Sequence, residues 1–202
     1  MGSMVSKAIL RSIETLKNRD LAMAQQLISD DRKVNQKRFE IEEKCIELIA
    51  TQQPMAGDLR MIVAVLNIIV ELERVGDYAE GIAKITIMIG DEPPLKPLID
   101  VPRMADKTVD MLGRALDTFV RGDAVAAKAI AREDDFVDEL YNQVFRELLV
   151  FMMEDPRTVT RATRLIWVAH DLERAADRVT NICERVVYAV TGKMEEIGSS
   201  KY

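Results

Sequence analysis

The feature that most constrains this chain is that it contains itself twice. Glu71-Leu72-Glu73-Arg74-Val75-Gly76-Asp77 returns one hundred residues later as Asp171-Leu172-Glu173-Arg174-Ala175-Ala176-Asp177, and Ile82 returns as Ile182. Upstream, Asp20, Asp31 and Val34 return as Asp123, Asp134 and Val137, at an offset of 103. The step of three falls across the loop at Thr51–Gly57, longer than its counterpart at Glu154–Arg157, and loops are where insertions are tolerated. A period near one hundred is too long for a solenoid repeat. It predicts a duplicated unit: residues 1–92, a Pro-rich linker at 93–99, a second unit at 100–192 and a frayed tail at 193–202.

Each unit reads as helices only. The six prolines sit at Pro54, at Pro93, Pro94, Pro97 and Pro102, and at Pro156. Between them apolar residues recur at helical spacing, as in Leu59, Ile62, Val63, Leu66, Ile69 and Val70. Alternating polar–apolar runs with turn pairs between them are missing. Asp20 and Asp123 follow polar breaks and suit N-caps; Asp100 opens a helix before Pro102; Gly90 closes one. The spacing predicts six helices at about 5–18, 21–52, 56–89, 101–120, 124–153 and 157–190. Rods of some thirty residues span ~45 Å. The predicted class is all-α, two tandem three-helix bundles of antiparallel rods.

Composition narrows the function. With 48% hydrophobic and 31% charged residues the chain can bury a core and keep a solvated surface. A net charge of −6 argues against a nucleic-acid partner. Cys45 and Cys183 lack metal or disulfide spacing and read as buried thiols of a cytoplasmic protein. No apolar run approaches the ~20 residues of a membrane span, and no signal-peptide layout is present. No Gly-rich phosphate loop occurs. His170, the one histidine, reads as a packing or surface residue, Trp167 as core, and Lys33, Lys37 and Arg38 as a solvated helix face.

The residues that carry chemistry are acidic and paired. Glu73 and Asp77, and again Glu173 and Asp177, are four apart and share a helix face. The preceding helix of each unit carries Asp31 with Asn35, or Asp134 with Asp138, also four apart. Counting back from the loops near 53–54 and 155–156 places the two acidic pairs of each unit level to within one turn of ~5.4 Å. Carboxylates crowd together only with a countercharge or a raised pKa. An all-oxygen set suits hard cations such as Mg²⁺, Mn²⁺, Ca²⁺ or oxidised iron, not structural zinc. The competing reading is an ion-paired face in which Arg74 and Arg174 neutralise their neighbours, and the pairs only hold a scaffold in register.

These blocks resemble the PhoU family: the doubled Glu/Asp-Leu-Glu-Arg-x-x-Asp, Gln53-Pro54-x-x-x-Asp58-Leu59-Arg60, Met153-Glu154-Asp155-x-Arg157-Thr158 and Asn181-Ile182-Cys183-Glu184. The resemblance covers essentially the whole chain, and Met1–Val5 matches the middle of the family's first helix. It implies a non-enzymatic cytoplasmic regulator of phosphate uptake, working with the ATPase subunit of a phosphate ABC transporter and with a phosphate-sensing histidine kinase, as a homodimer or higher oligomer. It also implies metal on Asp31, Asn35, Glu73, Asp77, Asp134, Asp138, Glu173 and Asp177, with Fe, Mn, Mg, Zn and Ca all open. Asn35 stands where an acid would complete the motif, so the second unit is expected to bind metal more tightly. A di-iron carboxylate oxidase, the enzymatic alternative, needs two Glu-x-x-His pairs that one histidine cannot supply.

Overall fold

A computed structural model describes residues 1–197. Its helices are α1 (Gly2–Asn18), α2 (Leu21–Gln52), α3 (Gly57–Ile89), α4 (Asp100–Arg121), α5 (Ala124–Ala131), α6 (Asp134–Glu154) and α7 (Val159–Thr191), with a 3₁₀ turn at Pro156–Thr158. Among the described residues there are no strands. The predicted helix ends are set by the expected caps. Asp20 accepts a hydrogen bond from Met23 N at 2.9 Å, and Asp123 from Ala126 N at 2.9 Å, each satisfying a donor the first turn cannot. Gly90 ends α3 at φ 64°.

Four helices build the centre. α3 lies antiparallel on α7: Glu71 faces Asn181 at 3.2 Å, and ten residues on, Gly81 faces Asp171. Small buried residues at the crossing, Val75, Gly76 and Ala79 on one rod and Ala175, Ala176 and Val179 on the other, let the backbones approach. α1 crosses α4, with Leu10 and Ile13 beside Pro102 and Ala105. α2 packs on α3, and α5 and α6 pack on α7. Ile9, Ile82, Met104, Leu112, Leu172 and Ile182 have no solvent exposure and belong to one core fed by both halves.

Three expectations are corrected. The fifth rod is not one helix: it breaks at Arg132–Glu133, because Glu133 turns inward to accept from Arg114 Nη1 at 2.8 Å and to pair with Lys107. The tail is not loose as far as it is described. It lacks regular structure after Gly192, yet Ile197 packs on the core, its N–H donates to Glu184 Oε1 at 3.0 Å, and Glu195 pairs with Lys128. Residues 198–202 of the expected tail lie outside the described residues. Trp167 is not core: it is 51% exposed on the outer side of α7, while its neighbours Val168 and Ala169 are buried.

The linker at 93–99 has no regular structure and is strapped down by two arginines. Arg19 Nη1 donates to the Asp91 carbonyl at 3.2 Å and Arg161 Nη1 to the Pro93 carbonyl at 2.9 Å. The α2–α3 loop holds strain: Gln53 (φ 48°) and Ala56 (φ 45°, ψ −103°) are non-glycine residues in left-handed backbone. Such a conformation costs on the order of 1–3 kcal/mol. Ala56→Gly should therefore stabilise the protein by about 1 kcal/mol, read as a higher urea midpoint at unchanged slope.

Candidate functional site

The structure gathers the predicted acidic residues of each unit onto one patch. In the first unit Asp31 of α2 leans on Gly76 of α3, its Oδ1 3.3 Å from where a Cβ would stand. Gly76 thus makes room for the carboxylate. Burial raises the Asp31 pKa, and Glu80, Asp77 and Glu73 raise it further. Burial and then Glu73 do the same to Asp77. Asn35 donates its amide to Asp31 Oδ2 at 2.9 Å.

The second unit repeats this with α6 and α7 and is more strongly perturbed. The Asp134 carboxyl is pushed up to about 7, first by burial and then by Asp138, Asp177, Glu173 and Asp135. Glu173 is only 9% exposed, and burial followed by Asp177 and Asp138 lifts it to about 7. Asp134 Oδ1 and Glu173 Oε2 are buried without a hydrogen-bond partner, and so is Thr180 Oγ1 further along α7. A buried polar oxygen left without a partner costs about 1–3 kcal/mol, and such oxygens are rare in native proteins. The two carboxylate oxygens, on facing helices of one patch, call for something to satisfy them.

The competing ion-pair reading holds in part. Arg174 Nη1 donates to Asp177 at 2.7 Å, and Arg74 lies 3.6 Å from Asp77. Among the described residues, no three His, Cys, Asp or Glu side chains converge closely enough to hold one ion. The eight predicted residues share two patches; they do not yet share two points.

Sequence reasoning missed the residues that make the patches unequal. Arg38 is not part of a solvated face: its Nη1 donates to Glu73 Oε2 at 3.1 Å, and its guanidinium lies 5.1 Å from the Phe39 ring centre. The repeat puts Tyr141 at the position of Arg38, where it meets the exposed His170 edge-on, with ring centres 6.2 Å apart. Glu80 also joins the first patch; its place three residues after Asp77 on the same helix face was a readable signal. Outside both patches, Asp171 lies against Gly81 with its pKa pushed up to about 7 by burial alone. Cys45 and Cys183 are free and buried, as expected.

A helical bundle built from one unit twice, with acidic pairs from neighbouring helices brought level in both copies, defines a class of duplicated, acid-faced helical proteins. The chain belongs to the PhoU family: the PhoU domain model matches residues 1–86 and again 101–186. It is 39% identical over 194 residues to the phosphate-specific transport system accessory protein PhoU homolog of Aquifex aeolicus, covering 96% of this chain and 88% of that one. Among solved structures, it is similar to PhoU from Pseudomonas aeruginosa, with a TM-score of 0.89 at 36% identity over 96% of this chain and 93% of that one. It is also similar to the phosphate transport system regulatory protein PhoU from Streptococcus pneumoniae, with a TM-score of 0.88 at 30% identity over 96% and 91%.

Proposed function

We propose that this protein is a cytoplasmic, non-enzymatic negative regulator of phosphate uptake and phosphate-starvation signalling. In this reading it is a metal-binding adaptor between a phosphate ABC transporter, through its ATPase subunit, and a sensor histidine kinase, working as a homodimer. Relatives along nearly the whole chain carry the names of accessory and regulatory proteins of phosphate transport, which supports the regulatory role. No helix among the described residues is long and apolar enough to cross a membrane. A regulator of a membrane transporter with this build acts by docking.

The observation that carries the metal reading is the set of partnerless buried oxygens at Asp134 and Glu173. The donor set fits a hard cation in kind: four carboxylates in the second unit, with no sulfur or imidazole among them. A bound ion supplies the positive charge these oxygens lack and lets Asp134 and Glu173 ionise at neutral pH. Asp134, Asp138, Glu173 and Asp177 would hold it, the side chains turning inward from the shared patch. In the first unit Arg38 already supplies positive charge to Glu73, and Asn35 removes one negative charge. Metal there binds more weakly.

The protein as purified should carry divalent or ferric ions by elemental analysis, and Glu173→Ala with Asp177→Ala should remove most of them. Equal metal in the variant and the wild type would refute the assignment.

A further inference from the structure

The internal repeat makes each unit a control for the other, and one place differs sharply. Between α1 and α2 lies an open groove of about 210 Å³, floored by Met4, Ala8, Leu27 and Val34. At the repeat offset of 103 its counterpart in the second unit is occupied by larger and ion-paired side chains. Met111, fully buried, stands where Ala8 leaves space. Lys107, which replaces Met4, and Arg114, which matches Arg11, grip Glu133, which matches Asp30. Asp110, which replaces Lys7, completes that cluster on Arg114 at 2.7 Å.

None of this filling exists in the first unit. Asp30 is held from its own helix, by Lys33 at 2.6 Å and Gln26 at 3.1 Å. Lys7 and Arg11, one turn apart on α1, are exposed and make no ion pair among the described residues. On the opposite wall Lys33 is committed to Asp30, and Lys37, one turn further along α2, pairs with Glu40 at 2.8 Å. The groove is therefore an apolar trough whose α1 rim carries two cations unpaired among the described residues, Lys7 and Arg11, while Asp30 and Asp31 stand on the α2 side, on a chain whose net charge is −6.

We propose that this groove docks an acidic amphipathic segment of a partner protein, with one apolar side chain in the trough and carboxylates along Lys7 and Arg11. Its volume falls below the ~300–1,000 Å³ of small-molecule sites but suits a single Leu-, Met- or Phe-sized anchor, the usual form of a helix-in-groove contact. Charge complementarity selects the acidic segment: the exposed Lys7 and Arg11 on the α1 rim, unpaired among the described residues, attract carboxylates and repel a basic helix. The docking mode rests on the adaptor reading above and names the surface that reading lacks.

The test uses the full chain and a fluorescein-labelled helical peptide of roughly fifteen residues, with leucines four apart flanked by glutamates. Two twins replace its glutamates by lysine or its leucines by alanine. The parent peptide should bind saturably by anisotropy, more weakly as salt is raised. Both twins should lose at least about tenfold in affinity. Ala8→Met imports the filling residue of the second unit without changing charge, and should lose at least about tenfold. So should Lys7→Glu with Arg11→Glu. Arg121→Glu, at the end of α4, should bind as wild type, and circular dichroism melts confirm that each variant is folded. Absence of saturable binding, equal binding of the lysine twin, or wild-type affinity in Ala8→Met overturns the proposal. A parallel capture of the phosphate transporter's ATPase subunit separates the two readings. Capture that survives both groove variants overturns the groove as the docking site. Failure of the wild type to capture the subunit overturns the adaptor reading instead.

Discussion

Raising the pH from 5 to 8 in the presence of a chelator should destabilise this protein, and a saturating divalent cation should reverse the share of that loss carried by Asp134 and Glu173. Asp134 and Glu173 are both pushed up to about 7 in the folded state, and so is Asp171. Unfolded, the same groups titrate near 4. A carboxyl whose folded pKa is raised binds its proton more tightly when folded. Its contribution is intact below the unfolded pKa and is lost as pH climbs through the interval from about 4 to about 7. Each tenfold gain in proton affinity on folding corresponds to about 1.4 kcal/mol in the ideal case. The groups are coupled and partly hydrated, so the expected combined loss is about 2–4 kcal/mol, or roughly 5–15 °C in Tm for a chain of this size. An ion at a hundred times its Kd restores about 2.7 kcal/mol. Scanning calorimetry at pH 5 and pH 8, with chelator and with Mn²⁺, reads both arms. Asp134→Asn with Glu173→Gln should reduce the pH dependence to the share carried by Asp171 and remove most of the response to Mn²⁺. A metal-free protein that is more stable at pH 8 than at pH 5 would rule out buried, proton-holding carboxyls as the source of the effect.

Leu172→Ala should cost about 2–5 kcal/mol. Leu172 sits in the middle of α7 with no solvent exposure, in a core that both halves feed. Truncation leaves a cavity at the helix pair that joins the halves, and close-packed neighbours relax into it only in part. Its repeat counterpart Leu72 is 4% exposed, and Leu72→Ala should fall in the same range. Val120→Ala and Val125→Ala, at positions more than four-fifths exposed, should stay within about 0.5 kcal/mol. Urea unfolding of all four variants measures this, as midpoint shifts at constant slope. Because the core is shared, wild type and Leu172→Ala should each unfold in one transition. Two separate transitions would show that the halves fold independently.

What could be read from sequence was whatever local chemistry decides. Asp20, Asp123 and Gly90 set helix ends through bonds within a few residues, and those ends stand where the caps put them. The level of the acidic pairs followed from counting rise along two antiparallel rods from their loop, and the structure sets Asp31 beside Asp77 and Asp134 beside Asp177 accordingly. What could not be read was decided across helices. The break at Arg132–Glu133 exists because Arg114 and Lys107, 19 and 26 residues upstream on α4, draw Glu133 in. Arg38 leaves a cationic run to pair with Glu73, 35 residues away. Trp167 lies next to the buried Val168 and Ala169 in sequence, yet is half exposed on the outer side of α7. A single-sequence pattern carries no term for such partners.

If the second unit gathers carboxylates that only a cation satisfies, the ion should be visible there. Crystals grown with saturating Mn²⁺, with data collected at the manganese absorption edge, would show it. An anomalous peak is expected between α6 and α7, within coordination distance of carboxylate oxygens from Asp134 or Asp138 and from Glu173 or Asp177, and stronger than any peak in the first unit. A map with no peak on that patch, while Asp134 and Glu173 remain buried, would leave the metal reading without a site.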